Sequence, residues 1–361
     1  MGDEPEGGLL EGVRVLDLSI WRPGPYATQL LADLGAEVIK VEPPGGDPLR
    51  VYPGLFAGLH ADKRSLVLDL KSPAGRDRVL DLAAGADVVV EGFRPGVARR
   101  LGVGYEQVQA VNPSVVYCSV SGFGQDGPLA AVPGHDLDYE AWSGLLAPDG
   151  GAPVVPRVPV ADLAGGMAAA FAVCAALVRA RATGEGERVD VAMAGVLATW
   201  TGTAAPVAEG ADPAERGVPG YGTFATADGG YVALGVLSED HFWRPLCLEL
   251  GFDDVADLGF ADRCARRPEL QDRLAAALGA RRRDELVSAL LAGGVPVAPV
   301  LDRAEMVQLE HFRAIGAVTS HPWAELSSGH PVRLTRHPVR RRRPPPSLDE
   351  HPDADWAPRQ P

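Results

Sequence analysis

The N-terminal segment holds a strand–helix–strand pattern that restricts the choice of folds more than any other part of the chain. Residues 13–18 form an apolar run that predicts a strand. Pro25 can open a helix over 26–34, and Gly35 suits the end of that helix. A second strand is predicted over 36–42. This βαβ unit implies parallel strands joined by a right-handed crossover.

Strands and helices continue to alternate to about residue 195, which is typical of an α/β protein with a parallel sheet. The first turn lacks the G-x-G-x-x-G spacing, so the usual dinucleotide fingerprint is absent. Residues 47–62 are predicted to form a loop. Ligands of open α/β sheets bind at the carboxyl ends of the strands. The residues that follow such ends are Lys71, Arg94, Arg100 and the turn at 122–128.

A second compact region begins after a segment rich in proline, glycine, alanine and acidic residues. The turn residues between 223–226 and 231–236 predict a β-hairpin, and helices are predicted after it. The tail contains short strand-like runs. The predicted organisation is a large domain whose N-terminal part covers 9–204, a linker over 205–220, a small domain over 221–310, and a return to the large domain with a tail over 311–361.

The charge and cysteine content narrow the function classes. The net charge is −14 and the basic residues are nearly all scattered arginines, so nucleic acid is not an expected partner. The four cysteines form no C-x-x-C pair, and we expect them to be reduced core residues. No leader-like apolar segment and no apolar run of ~18 residues stands out, so we expect a cytoplasmic protein with no membrane partner.

Two segments offer acid–base chemistry. The segment 134–139 contains His135, a residue type whose charge changes near neutral pH. Asp162 stands where an alanine-rich helix begins and is predicted to be its N-cap, near free backbone N–H groups that can also hold an enolate oxygen. A His and an Asp on two sides of one carbon would form an acid–base pair. The simpler alternatives are a structural or solvent-facing His135 and a purely capping Asp162.

Glu239 follows the predicted hairpin and has two interpretations. It is either an ordinary acidic residue of a first helical turn or a carboxylate that orients His135. Asp136 and Asp138 are metal-ligand types, but no second histidine lies at ligand spacing, so no metal site is predicted. The basic residues between 63 and 100 are expected to form a solvated face.

A set of ordered motifs resembles the family III coenzyme A transferases, the CaiB/BaiF superfamily, over roughly residues 10–340. No single motif carries the resemblance, which depends on their number and order. The motifs are Pro23-Gly24-Pro25, 35–42, Lys63-Arg64-Ser65, Asp69-Leu70-Lys71, Phe93-Arg94-Pro95-Gly96, 121–124, Ala161-Asp162, 183–186 and Val189-Asp190-Val191.

The resemblance implies a large Rossmann-like CoA-binding domain, a smaller α+β domain and an interlocked homodimer. It also implies an acyl-CoA substrate, with no cofactor beyond the coenzyme A that the substrate carries. CoA contacts are expected at the positions that match the family's binding segments. These are Trp21, Arg22, Leu68, Asp69, Leu70, Lys71, Gly92, Phe93, Arg94, Arg100, Gly134, Asp136, Leu137, Asp138 and Tyr139.

Two chemistries of this family use the aspartate that Asp162 matches. In the transferases it attacks the acyl-CoA thioester and forms an anhydride, then an enzyme-bound thioester. In the α-methylacyl-CoA racemases it is one arm of a His/Asp pair, and the segment 134–139 resembles the racemase pattern. Glu239 matches the glutamate that supports the racemase histidine, with Ser238 as a one-residue insertion. Asp138 stands where racemases often have asparagine.

The resemblance therefore favours a racemase that interconverts (2R)- and (2S)-2-methylacyl-CoA through an enolate, with His135, Asp162 and Glu239 as catalytic residues. The substrate would be a branched fatty acyl, sterol side-chain or polyketide-type thioester. One alternative is a CoA transferase that uses Asp162 as nucleophile. The other is a non-catalytic acyl-CoA-binding protein in which His135 and Asp162 are idle.

Overall fold

The computed structural model describes residues 7–146, 152–202 and 217–358 and divides the chain into two compact units. The large unit combines residues 1–204 with 311–361, and the small unit is 205–310. Most of the predicted linker over 205–220 lies outside the described residues.

The large unit is built on a sheet of six parallel strands in the order β3-β2-β1-β4-β5-β6. The predicted α/β class with a parallel sheet is thereby confirmed. The strand order reverses between β1 and β4, so a crevice opens at their carboxyl ends. The strands are β1 (Arg14–Asp17), β2 (Glu37–Glu42), β3 (Arg64–Val67), β4 (Val88–Glu91), β5 (Val116–Ser121) and β6 (Glu187–Ala192).

Helices cover both faces of this sheet. One face packs against the first and seventh helices and the other packs against the third and fifth. The helices are α1 (Pro23–Asp33), α2 (Pro53–His60), α3 (Pro73–Gly85), α4 (Val97–Leu101), α5 (Tyr105–Val111), α6 (Asp136–Trp142), α7 (Val160–Thr183) and α8 (Met193–Thr201).

The segment 47–62 was expected to be a loop, and this expectation is wrong because it contains α2. Pro53 starts the helix, which places Phe56 and Leu59 on one side. Both side chains are buried in a small cluster with Leu49. A helix this short is stabilised by tertiary burial more than by local propensity, so its sequence gives a weak signal.

Helix α7 and helix α1 approach each other closely at Gly166. A Cβ atom at this position would lie 2.6 Å from the backbone oxygen of Pro23 and 2.9 Å from Tyr26 Cδ1. The Gly166→Ala variant should therefore force the helices apart and lose about 1–3 kcal/mol of unfolding free energy in a urea titration. Gly58→Ala on α2 is the matched control, since its nearest neighbour is 3.9 Å away. An equal loss in both variants would contradict the packing argument.

Helix α7 is also long and apolar enough to cross a membrane by length and composition. The expectation concerned an uninterrupted apolar run of ~18 residues. Helix α7 carries Asp162, Arg179 and Arg181, so its uncharged stretch is shorter than that. A single such helix is weak evidence, since core helices of globular proteins pass the same test. In this chain α7 packs against α1 and β5.

The small unit contains a three-stranded antiparallel sheet in the order β7-β8-β9 with helices around it. The predicted hairpin is confirmed as the β7–β8 pair. Its core includes the fully buried Trp243, whose Nε1–H donates to the Val255 carbonyl at 2.9 Å. The elements are β7 (Tyr221–Ala225), β8 (Tyr231–Gly235), α9 (Asp240–Leu250), α10 (Phe260–Ala265), α11 (Arg267–Gly279), α12 (Arg283–Ala292), β9 (Val297–Pro299) and α13 (Arg303–Met306).

The C-terminal segment packs on the large unit. After α14 (Glu310–Ala314), the strands β10 (Val318–His321) and β11 (Ala324–Ser328) form an antiparallel pair. Arg341 then pairs with Asp33 at 2.8 Å, and Trp356 Nε1–H donates to the Leu82 carbonyl at 2.7 Å.

Candidate active site

A cavity of about 670 Å³ opens at the crevice where the strand order reverses. Loops after β1, β4 and β5 and the start of helix α7 form its wall. His135 and Asp162 both line this cavity, and their acid–base roles stay predictions. The other predicted residues that line the cavity are Trp21, Arg22, Gly92, Phe93, Arg94, Gly134, Asp138 and Tyr139.

Other predicted CoA contacts lie outside this cavity lining. Within the segment 68–71, the Lys71 N–H donates to Asp69 Oδ1 at 3.0 Å, and both side chains are exposed. Glu239 belongs to the small unit, where it precedes α9 and accepts a hydrogen bond from the Leu237 N–H at 3.2 Å. Their CoA or orienting roles stay predictions. The predicted contacts that do not line the cavity are Leu68, Asp69, Leu70, Lys71, Arg100, Asp136 and Leu137.

The segment around His135 begins α6, a helix that the sequence alone did not indicate. His135 has extended backbone, and its N–H donates to Asp138 Oδ2 at 2.9 Å. The Tyr139 hydroxyl donates to the Gly134 carbonyl, and the Tyr139 ring packs edge-on against Phe123. These contacts fix the backbone of His135 at the cavity while its side chain stays exposed.

Asp162 lies in the first turn of α7 and not at its N-cap, which is Pro159. The N-cap prediction is wrong because carboxylates of another helix satisfy the free amides of α7. The Asp162 N–H donates to Asp136 Oδ1 at 2.9 Å, and the Val160 N–H donates to Glu140 Oε1 at 3.2 Å. These two amides are therefore already hydrogen-bonded and do not act as donors to an enolate. The Asp162 side chain is left to face the cavity.

The environment of Asp162 moves its pKa toward neutrality. Burial and then the Asp136 charge raise the pKa of Asp162 to about 6, while Arg22 and His135 act in the opposite direction. Arg22 Nε lies 4.0 Å from Asp162 Oδ2. A carboxyl group that titrates in this range can both accept and return a proton under physiological conditions.

A buried ionic network supports the turn that carries Trp21 and Arg22. Trp21 has φ of 64°, a conformation that non-glycine residues rarely adopt. Its N–H donates to Asp47 Oδ1 at 3.3 Å, and Asp47 pairs with Lys40 at 2.9 Å. Lys40 Nζ also donates to the Ser19 carbonyl at 2.7 Å. This network was not predicted, because its members are far apart in the sequence.

The network continues to Lys63, which was expected on a solvated face but is fully buried. Its Nζ lies 3.1 Å from Asp17 Oδ2 and 2.7 Å from Thr28 Oγ1. Burial alone would raise the pKa of Asp17, but the charges of Lys63 and Lys40 lower it to about 2. Burial lowers the pKa of Lys63 to about 8 against the opposing effect of Asp17. The expectation failed because the partner carboxylate, Asp17, is the last residue of a different strand, β1.

Within the described part of the chain, no group of three or more His, Cys, Asp or Glu side chains is placed to hold a metal ion. All four cysteines are free; Cys118 and Cys247 are buried, and Cys174 and Cys264 are partly buried.

The fold and this cavity place the protein among α/β proteins that bind a ligand where the order of a parallel sheet reverses. A model of CoA-transferase family III matches residues 10–352. The chain belongs to that family and is an enzyme of the CoA-transferase and racemase type.

Individual relatives represent both chemistries. The chain is 34% identical over 374 residues to the acetyl-CoA:oxalate CoA-transferase of Acetobacter aceti, covering 95% of this chain and 94% of the relative. It is 34% identical over 324 residues to the alpha-methylacyl-CoA racemase of Homo sapiens, covering 85% and 82%. The crystal structure of a CAIB/BAIF family protein from Brucella suis superposes with a TM-score of 0.84 at 28% identity, covering 96% and 98%.

Proposed function

We propose that the protein is an α-methylacyl-CoA racemase that interconverts (2R)- and (2S)-2-methylacyl-CoA. One observation carries the proposal. His135 and Asp162 line the same cavity, and the charge of His135 acts on an Asp162 carboxyl whose pKa is about 6. Racemisation needs two proton carriers that reach one carbon from opposite sides, and we assign these two roles to His135 and Asp162.

The proposed reaction removes one proton from one face of the α-carbon and delivers another proton to the opposite face. With an ionised Asp162 and a protonated His135, the carboxylate takes the α-proton and the electron pair passes into the thioester as an enolate. His135 then gives its proton to the other face of the carbon, and the reverse direction exchanges the two roles. The Arg22 guanidinium beside Asp162 offers positive charge near the developing anion.

Coenzyme A is proposed to lie along the loops that follow the parallel strands. Arg94 and Phe93 line the cavity and offer a cation and an apolar surface. Arg100 on α4 and Lys71 are both exposed; Arg100 also follows β4, whereas Lys71 follows β3. Guanidinium groups suit phosphate oxygens, which the CoA diphosphate would supply.

A CoA transferase is the second candidate, and Arg22 favours it. Apart from the 4.0 Å ion pair with Asp162, the Arg22 guanidinium has no hydrogen-bond partner among the residues that the structure describes. A free carboxylic acid could dock on this group next to Asp162, which would then act as nucleophile. One of the relatives transfers CoA to oxalate, as its name states.

The two candidates differ in whether Asp162 becomes covalently modified. The protein is incubated with acyl-CoA and its intact mass is measured, with and without hydroxylamine, which cleaves an acyl anhydride or an enzyme thioester. The racemase proposal expects an unchanged mass. A CoA adduct that hydroxylamine removes, and that the Asp162→Asn variant does not form, would contradict the racemase and support the transferase.

The surroundings of Asp162 also predict how the rate depends on pH. Proton removal by Asp162 requires its ionised form, so kcat/KM for this direction should rise as pH passes a pKa of about 6. The Arg22 cation lowers the pKa of Asp162. The Arg22→Met variant should therefore raise this pKa and move the acidic limb of the pH–rate profile to higher pH. The Asp136 charge raises the pKa of Asp162, so the Asp136→Asn variant should lower this pKa and move the acidic limb to lower pH. If the acidic limbs of both variants coincided with that of the wild type, the assignment of this limb to Asp162 would be wrong.

We infer a homodimer, as the family resemblance implies, and a cytoplasmic location, as the composition suggests. Helices α7 and α8 support the homodimer with large exposed apolar side chains. Phe171 is 76% exposed, Val178 is 73% exposed and Trp200 is 51% exposed. Light scattering on the purified protein should give twice the chain mass, and a monomer would contradict the inference. A non-catalytic acyl-CoA binder would instead bind acyl-CoA tightly without turnover.

A further inference from the structure

Glu140 is a buried acid next to the site for which the proposed reaction has no role. It lies on α6 and is 1% exposed. Its Oε1 accepts the Val160 N–H at 3.2 Å, at the first residue of α7. Its Oε2 is buried and meets no hydrogen-bond partner in the described parts of the chain. A buried carboxylate oxygen without a donor is costly, so its presence calls for an explanation.

The group that faces Glu140 is itself a carboxylate. Both side chains accept from the first turn of α7, Glu140 from the Val160 N–H and Asp136 from the Asp162 N–H, so the two carboxyl groups are neighbours. Two carboxylates are both acceptors, so they form a hydrogen bond only when one of them carries a proton. Burial and Asp136 raise the pKa of Glu140. A proton on Glu140 would supply the missing hydrogen bond between the two carboxyl groups.

We propose that Glu140 is a positioning residue that works as a neutral carboxylic acid: it donates to Asp136, and the two side chains together hold the first turn of α7 in place. Asp136 Oδ1 accepts the Asp162 N–H at 2.9 Å, so this acid pair contacts both the first and the third residue of the helix. The inference rests on the proposed function of Asp162 as a proton carrier.

The net charge of the Asp136–Glu140 pair also affects the pKa of Asp162. The charged groups that act on Glu140 are Asp136 on α6 and Asp162 on α7, and Arg22 and His135 act in turn on Asp162. Helix α8 also packs on α6 but carries no titratable side chain. With one shared proton, the pair adds a single negative charge beside Asp162. Ionisation of Glu140 would add a second charge and raise the pKa of Asp162 further.

Two substitutions test whether Glu140 acts as a neutral acid or as an ionised carboxylate. Glu140→Gln keeps an N–H donor for Asp136 and an oxygen for Val160, so it should retain kcat within about threefold and keep the acidic limb of the pH profile. Glu140→Leu has a similar volume without either group and should lose about 10–100-fold in kcat, because Asp162 is no longer held in position. An equal loss in both variants would overturn the proposal, since an ionised Glu140 would then be required.

A spectroscopic readout tests the protonation state without any substrate. The infrared carbonyl band of a protonated carboxyl group is compared between the wild type and Glu140→Gln at neutral pH. The proposal expects the variant to lose one such band, and Glu185→Gln at an exposed site to lose none. Identical spectra for the wild type and Glu140→Gln would overturn it. Because this result does not depend on turnover, it stays valid if the racemase proposal fails in the mass measurement.

Discussion

The Asp162→Asn variant should lose roughly 10²–10⁴-fold in the rate of epimerisation. Asparagine has almost the same shape but does not accept or return a proton. The backbone hydrogen bond from residue 162 to Asp136 should survive, because it uses the N–H and not the side chain. The loss should therefore appear in kcat with little change in unfolding free energy. The rate is measured by chiral chromatography of the acyl group after hydrolysis.

Asp77→Asn serves as the matched control for this substitution. Asp77 lies on α3 with its side chain 62% exposed and is not part of the cavity lining. Its variant should epimerise the substrate at the rate of the wild type. If Asp162→Asn kept full activity, the assignment of Asp162 as a proton carrier would be wrong.

The Lys63→Met variant should show the largest loss of stability, about 3–5 kcal/mol of unfolding free energy. The side chains of Lys63 and Asp17 are both fully buried, and the substitution leaves the Asp17 charge without its ion-pair partner. The Pro25 carbonyl, which accepts a hydrogen bond from Lys63 Nζ at 3.0 Å, also loses a donor. Urea denaturation followed by circular dichroism of the whole chain measures the effect.

Two further variants test the cause of that loss. Arg179→Met breaks an exposed pair with Glu185 at 3.6 Å and should cost less than about 1 kcal/mol. Adding Asp17→Asn to Lys63→Met removes the stranded charge and should restore part of the stability. If the double variant were less stable by the full sum of both single losses, the two residues would not be coupled and the buried-pair explanation would be wrong.

Local sequence patterns were sufficient to predict a parallel sheet and the helices that connect its strands. The strand and helix of the N-terminal βαβ unit are visible because apolar periodicity and the Pro25 and Gly35 signals agree within a short segment. Helices α2 and α6 were missed because each is short and depends on tertiary contacts. Asp138 stands three residues after His135, which is the spacing of a capping contact and could have indicated the start of α6.

The candidate site was predictable in its residue types and less so in its electrostatics. The resemblance to the family brought His135 and Asp162 together, and the cavity contains both. The contacts that set their environment are long-range. Asp136 reaches an amide 26 positions away, and Lys63 reaches a carboxylate 46 positions away. No local pattern specifies such pairs, because they depend on how separate elements pack.

The central claim is proton exchange at the α-carbon by His135 and Asp162. Purified protein is incubated with (2S)-2-methylacyl-CoA in deuterium oxide without an acceptor acid, and the α-proton is followed by NMR. We expect deuterium to enter as the (2R) isomer forms, and both processes to be lost in His135→Ala and in Asp162→Ala. No exchange, with CoA transfer appearing only after a free carboxylic acid is added, would contradict the racemase and leave Asp162 as a nucleophile.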